Sequence, residues 1–224
     1  MSNLSKRVIT SLILLLTVSF AFIYSFILIV LLILVSVFSW IEFNNILIKI
    51  FKKDNISSSF FKIFFKGLSL IYLVLFSILI FNNITQEPIL YKINLIFIFL
   101  VCIFSDIGGY IFGNVFKGKK LTKISPKKTI SGSLGSFFLP MILIPVIIYL
   151  LSNEGFNNFN LLILIFSVSL VCQLGDLFIS FLKRKAKVKD TGDLLPGHGG
   201  ILDRIDGILF AIPYGIIISN ILIF

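Results

Sequence analysis

The chain has 224 residues, of which 58% are apolar and 13% charged, with a mean hydropathy of +1.08 and a formal net charge of +10. Soluble domains average about 45–50% apolar and about 25% charged residues, so this composition excludes an ordinary soluble domain and describes a membrane protein. Several apolar runs exceed the roughly 18–20 residues that cross a bilayer as a helix, and the alternating segments of a membrane β-barrel are missing.

The expected fold is therefore all-α: a polytopic membrane bundle of about seven helices with its N-terminus in the cytoplasm. Helices are predicted at about 8–23, 25–42, 66–82, 92–113, 134–151, 159–182 and 200–223, with the first two meeting near Tyr24 in one apolar run. Lys6 and Arg7 precede an apolar stretch, but that stretch runs from Val8 to Trp40 without a small-residue cleavage site, which fits a retained helical hairpin better than a signal peptide. Residues 1–90 form the N-terminal helices and 91–224 the motif-bearing region of one continuous membrane domain. Cys102 and Cys172 both fall in apolar spans without a metal or redox spacing and read as small packing residues.

The loops follow the positive-inside pattern. Lys6 and Arg7 lie in the N-terminal tail, five lysines from Lys49 to Lys66 in the 43–66 connection, six from Lys117 to Lys128 in the 114–133 loop, and Lys183, Arg184, Lys185, Lys187 and Lys189 in the 183–199 loop. Seven spans put all four groups in the cytoplasm, while the opposite loops carry Glu87 and Glu154. Charge placed this way can serve topology and anionic lipid. That explains the 114–133 and 183–199 loops less well, because their lysines come with specific glycines, prolines and carboxylates. No nucleic-acid partner is expected.

Carboxylates inside apolar spans carry the first chemical signal, because burying a charge in a membrane helix is costly. Asp106 and Asp176 each lie about seven residues, roughly 10 Å, from the cytoplasmic end of a helix. Asp203 and Asp206 occupy the first turns of the last helix and share a face. Hard oxygen ligands suit Mg²⁺ alongside substrate phosphates. The plainer reading is ion pairing with Lys183, Arg184 or Arg204. Asp176 and Asp203 are the preferred metal ligands, with Asp106 and Asp206 in support.

A second signal is the loop from Gly118 to Thr129, whose lysines, hydroxyls and glycine are suited to phosphate. The candidate binding residues in it are Ser125, Lys127, Lys128 and Thr129. No Walker A or GxGxxG pattern is present. A third is Pro196-Gly197-His198-Gly199-Gly200, a tight turn whose amides could meet an anion at the mouth of the last helix. Gly109 and Gly113 form a small-residue stripe beside Asp106, suited to helix packing and equally able to leave room there.

Together these segments resemble a known signature. Ser180-Phe-Leu-Lys183-Arg184, Lys189-Asp190 and Leu195-Pro196-Gly197-His198-Gly199-Gly200-Ile-Leu-Asp203-Arg204-Ile205-Asp206 look like the phosphatidate cytidylyltransferase (CDP-diacylglycerol synthase) family. Asp106-Ile-Gly108-Gly109-Tyr110, Ser125-Pro126-Lys127-Lys128-Thr129 and Gly175-Asp176-Leu177 resemble further family motifs in the same order, so the likeness covers roughly 100–206. Two positions depart from the family pattern: Ser131 stands where an acidic residue is usual, and Gly207 where serine is usual.

The resemblance implies cytidylyl transfer from CTP to phosphatidate in the bilayer, giving CDP-diacylglycerol and pyrophosphate. It implies Mg²⁺ and a second cation at carboxylates corresponding to Asp176 and Asp203, with Lys183 and Arg184 catalytic. Substrate contacts would come from Ser125, Lys127, Lys128, Thr129, Lys189, Asp190, His198, Gly199, Gly200 and Arg204. It also implies a homodimer in a bacterial cell membrane with its site facing the cytoplasm. A CTP-dependent lipid-alcohol kinase and a non-enzymatic ion transporter are the competing readings.

Overall fold

The computed structural model of the chain describes residues 3–51, 56–86, 89–122, 124–150, 158–194 and 199–222. Eight α-helices occur among them: α1 (Asn3–Ile23), α2 (Ser25–Ile50), α3 (Ile56–Thr85), α4 (Leu90–Phe116), α5 (Ile130–Phe138), α6 (Leu143–Leu150), α7 (Asn158–Lys185) and α8 (Leu202–Leu222). No strand is found among the described residues, where an isolated bridge pairs Lys120 with Thr129. Six helical segments are long and apolar enough to cross a membrane, and Leu12–Ile23 is a shorter apolar one. The chain is an integral membrane protein built as a polytopic helical bundle, as expected.

The boundaries show what limits each helix. Tyr24 alone leaves helical geometry between α1 and α2, at φ −113° and ψ 110°, while its N–H still reaches Phe20 O at 2.9 Å. The predicted 43–66 connection is mostly helix, since α2 continues to Ile50 and α3 begins at Ile56. Hydropathy marks where the bilayer core ends, but backbone hydrogen bonding carries a helix onward and lysine stems can lie along it. The predicted 134–151 helix instead starts at Ile130 and is broken by a 3₁₀ turn at Leu139–Ile142. Pro140 lacks an N–H and its ring crowds the preceding turn, which accounts for the break.

The chain divides into two compact units. Unit one comprises Met1–Gln86 and Leu182–Ile205, and unit two Glu87–Phe181 and Asp206–Phe224. Within unit one, α2 packs against α3, where a Ser36–Ser77 hydroxyl contact of 2.8 Å joins them, and Leu28, Leu32, Leu73, Phe76 and Ile80 of these two helices are buried. Trp40 donates its indole N–H to Lys66 O at 3.2 Å.

Within unit two, small residues let backbones approach. A Cβ on Gly108 would strike the carbonyl of Gly135, and one on Gly109 would lie 2.7 Å from Ser136 Oγ. The glycine stripe on α4 is thus a packing surface for α5. Helix α7 meets α8 in the same manner, since a Cβ on Gly175 would lie 2.8 Å from the carbonyl of Asp206. Lipid offers helices little hydrophobic drive to associate, so close van der Waals packing and buried polar pairs hold them. Asn94 supplies one such pair, donating to Ser219 Oγ at 2.6 Å. Ile98, Cys102, Leu164, Val168, Cys172 and Ala211 are fully buried in this unit.

Candidate active site

The candidate residues fall into two groups, one in each unit. In unit one the group begins at the end of α7. Lys183, Arg184 and Lys185 occupy its last turn, where cations complement the helix dipole. The chain then turns sharply: Lys187 adopts a left-handed conformation (φ 56°), with Lys187 N donating to Arg184 O and Val188 N to Lys183 O. This pairing is a Schellman ending with lysine where glycine is common.

The turn leads the chain back to the start of α8, where Asp203 gathers it. Lys183 Nζ donates to Asp203 Oδ1 at 2.5 Å. Asp203 Oδ2 accepts from Thr191 N at 2.7 Å and Gly200 N at 3.2 Å, with Thr191 Oγ1 3.0 Å away. The pairing of Asp203 with Lys183 that the sequence left open is therefore formed. Gly199 is left-handed at φ 81°. Arg184, Lys189, Asp190 and Arg204 are exposed, with Arg184 Nη1 donating to Val188 O at 3.4 Å. His198 lies outside the described residues.

Sequence reasoning missed Glu42. It is only 2% exposed, and its carboxylate accepts from Thr191 Oγ1 at 2.6 Å and from the N–H groups of Ile201 and Leu202 at 2.9 Å each. These amides open α8 and would otherwise lack intrahelical partners. The signal was present in the sequence, since Glu42 is the one acidic residue in the 26-residue span of α2.

The second group lies in unit two. After α4, a left-handed Lys117 turns the chain into a short paired loop. Leu121 N donates to Lys128 O and Ile130 N to Lys119 O, while Lys128 N closes a turn onto Ser125 O at 3.1 Å. Pro126 occupies the second position of that turn, where its fixed φ is favourable. Thr129 caps α5 by accepting from Gly132 N at 3.1 Å. Ser131, the first departure from the family pattern, uses its hydroxyl to accept from Gly118 N at 3.2 Å.

This loop covers a cavity of about 200 Å³ whose walls include Asp106, Tyr110, Lys127, Lys128, Gln173 and Asp176. Lys128 forms an ion pair with Asp176 Oδ2, and Ser180 Oγ donates to Asp176 Oδ1 at 3.2 Å. Cys172 Sγ approaches Asp106 Oδ1 at 3.9 Å. Ser133 Oγ donates to Gln173 Oε1 at 2.6 Å, leaving the buried Gln173 Nε2 without a partner among the described residues. Gln173 and Ser133 are further cavity residues that no sequence pattern marked. Asp206 is in this unit too, accepting from its neighbour Gly207 N at 2.9 Å. Carboxylates, ammonium groups and the start of a helix around one cavity can bind a phosphate together with a cation.

Comparison with known proteins gives this chemistry a context. A phosphatidate cytidylyltransferase of Staphylococcus epidermidis is 43% identical over 120 residues, which is 53% of this chain and 46% of that protein. Proteins of the same name from Staphylococcus haemolyticus and Staphylococcus aureus are 42% identical over the same share of each chain. The matched stretch thus spans just under half the length of these relatives. The model of the cytidylyltransferase family matches residues 5–222, and the chain belongs to that family.

Proposed function

We propose that this protein transfers a cytidylyl group from CTP to phosphatidate, forming CDP-diacylglycerol and pyrophosphate. The observation that carries the proposal is the cavity in unit two, lined by Lys127, Lys128, Asp106 and Asp176 beside the start of α5, with Lys128 paired to Asp176. Family membership and the names of the relatives supply the reaction class. A phosphate oxygen of phosphatidate attacks the α-phosphorus of CTP in line. The new P–O bond forms as the bond to the bridging oxygen of the β-phosphate breaks, and pyrophosphate leaves. The attacking phosphate is already ionised near neutral pH, so no general base is assigned. Lys127 and Lys128 offset the repulsion between two anions, the contribution expected to dominate such a transfer.

Mg²⁺ is the proposed cofactor. Asp106 and Asp176 open on one cavity, and Asp176 already carries the Lys128 ammonium, so hard oxygens at a place held against positive charge fit this ion. Asp176 would hold it, with Asp106 in support, and the bound ion would neutralise charge on the α-phosphate and the leaving pyrophosphate. In unit one, Asp203 Oδ2 is occupied by the amides of Thr191 and Gly200, leaving Oδ1 as its proposed cation contact, with Lys183 displaced. A second cation and a homodimer are proposed from the resemblance. The lysine-rich loops support a site facing the cytoplasm of a bacterial cell.

Product analysis tests the reaction. Protein purified in detergent with CTP, phosphatidate and Mg²⁺ should release pyrophosphate and CDP-diacylglycerol in equal amounts. Chelation should abolish turnover, and added Mg²⁺ should restore it. Lys128→Met should lower kcat by about 10²–10³-fold, the usual loss of one charged donor at a transition state. Release of CDP in place of pyrophosphate would show phosphoryl transfer to a lipid alcohol and overturn the proposal.

A further inference from the structure

We propose that Glu42 is a positioning residue for this reaction, holding Thr191 and the first turn of α8, and through them Asp203. The inference rests on the cytidylyl-transfer reading and adds a residue that lies outside the motifs supporting it.

Glu42 is buried to 2% exposure on an apolar helix, and no lysine or arginine pairs with it among the described residues. A buried carboxylate without a counter-charge is strongly unfavourable unless hydrogen-bond donors replace its water. Here two helix-opening amides and one hydroxyl do so. The backbone is cleared for this approach. A Cβ on Gly192 would lie 2.7 Å from Glu42 Oε1, and one on Gly200 would overlap Thr191 Oγ1 and Glu42 Oε2.

Glu42 and Asp203 divide the donors of one segment between them. Asp203 takes the amides of Thr191 and Gly200, and Glu42 takes those of Ile201 and Leu202. Thr191 Oγ1 lies 2.6 Å from Glu42 and 3.0 Å from Asp203, yet it has only one proton to give. The shorter contact assigns that proton to Glu42. Glu42 therefore fixes the hydroxyl beside Asp203 and the helix start from which Asp203 projects. With Glu42 in place, the carboxylate of Asp203 is held by Lys183 and two amides in one orientation.

The test is Glu42→Gln, which keeps the shape but must present an NH₂ group to donors that require an acceptor. Kinetics per folded, monodisperse protein should show kcat reduced about 10–100-fold, the equivalent of one or two lost charge-assisted hydrogen bonds, with KM for CTP within about threefold of wild type. Thr191→Val should lower kcat too, and the double variant should lose much less than the product of the single effects, because the two residues act as a unit. Hydrogen–deuterium exchange should accelerate at least about tenfold across 200–203, which an opened helix start requires, and stay unchanged across 118–133.

Unchanged exchange at 200–203, or wild-type kcat per folded molecule, would overturn the inference. A wild-type protein that turns over no CTP would overturn the cytidylyl-transfer reading instead, and exchange would then decide the clamp by itself.

Discussion

Lys128, Asp203 and Gly207 show how far one side chain can be read by itself. The lysine and the two-oxygen acid announce their chemistry in the sequence, but their partners do not follow from type. Lys128 sits on Asp176, and Lys183 on Asp203. Gly207 was notable as a departure from the family pattern, and packing explains it. A Cβ there would lie 2.6 Å from Cys172 Sγ and 2.8 Å from the Cys172 carbonyl. Gly207→Ser should therefore destabilise the protein by about 1–3 kcal/mol, the usual cost of overpacking. Thermal unfolding in detergent would show it, and adding Cys172→Ala should recover only the part due to the sulfur, because the carbonyl remains.

At the scale of elements, helix existence was legible and helix ends were not. Apolar runs long enough to span a bilayer identify the segments, since only internally bonded backbone survives there. Their ends depend on local chemistry such as Tyr24, Pro140 and the Thr129 cap. The Schellman ending of α7 gives a direct check. Lys187 is held at φ 56°, where an L side chain costs roughly 1 kcal/mol relative to glycine. Lys187→Gly should raise stability by up to about that amount, measured by the same unfolding experiment. At the α4–α5 contact the opposite holds. Gly135→Val would drive side-chain atoms into Phe112 and the Gly108 carbonyl, and should disrupt the loop with Lys127 and Lys128. The expected outcome is loss of the proposed cytidylyl transfer with retained expression, detected by turnover on membranes carrying equal amounts of protein.

For the molecule as a whole, charge placement predicts orientation. The loops rich in lysine should all face the cytoplasm, while 83–91 and 152–158 face outward. Single cysteines introduced at Lys119, Lys189 and Glu87, in a background lacking Cys102 and Cys172, would test this with a membrane-impermeant thiol reagent. In intact cells only the Glu87 position should react, and the other two only after permeabilisation. Reaction at Lys119 from outside would invert the topology and remove the proposed access of cytoplasmic CTP.

The sequence by itself determined the membrane class, the helical bundle and the chemical type of the candidate residues, because hydropathy, length and side-chain functional groups are local properties. Tertiary structure decided which glycines let helices touch, which ammonium meets which carboxylate, and the place of Glu42. That last contact links α2 to amides some 160 positions further along the chain. A hydrogen bond between residues so far apart leaves no periodicity to read, so only the folded geometry reveals that the lone acid of an apolar helix closes the start of α8.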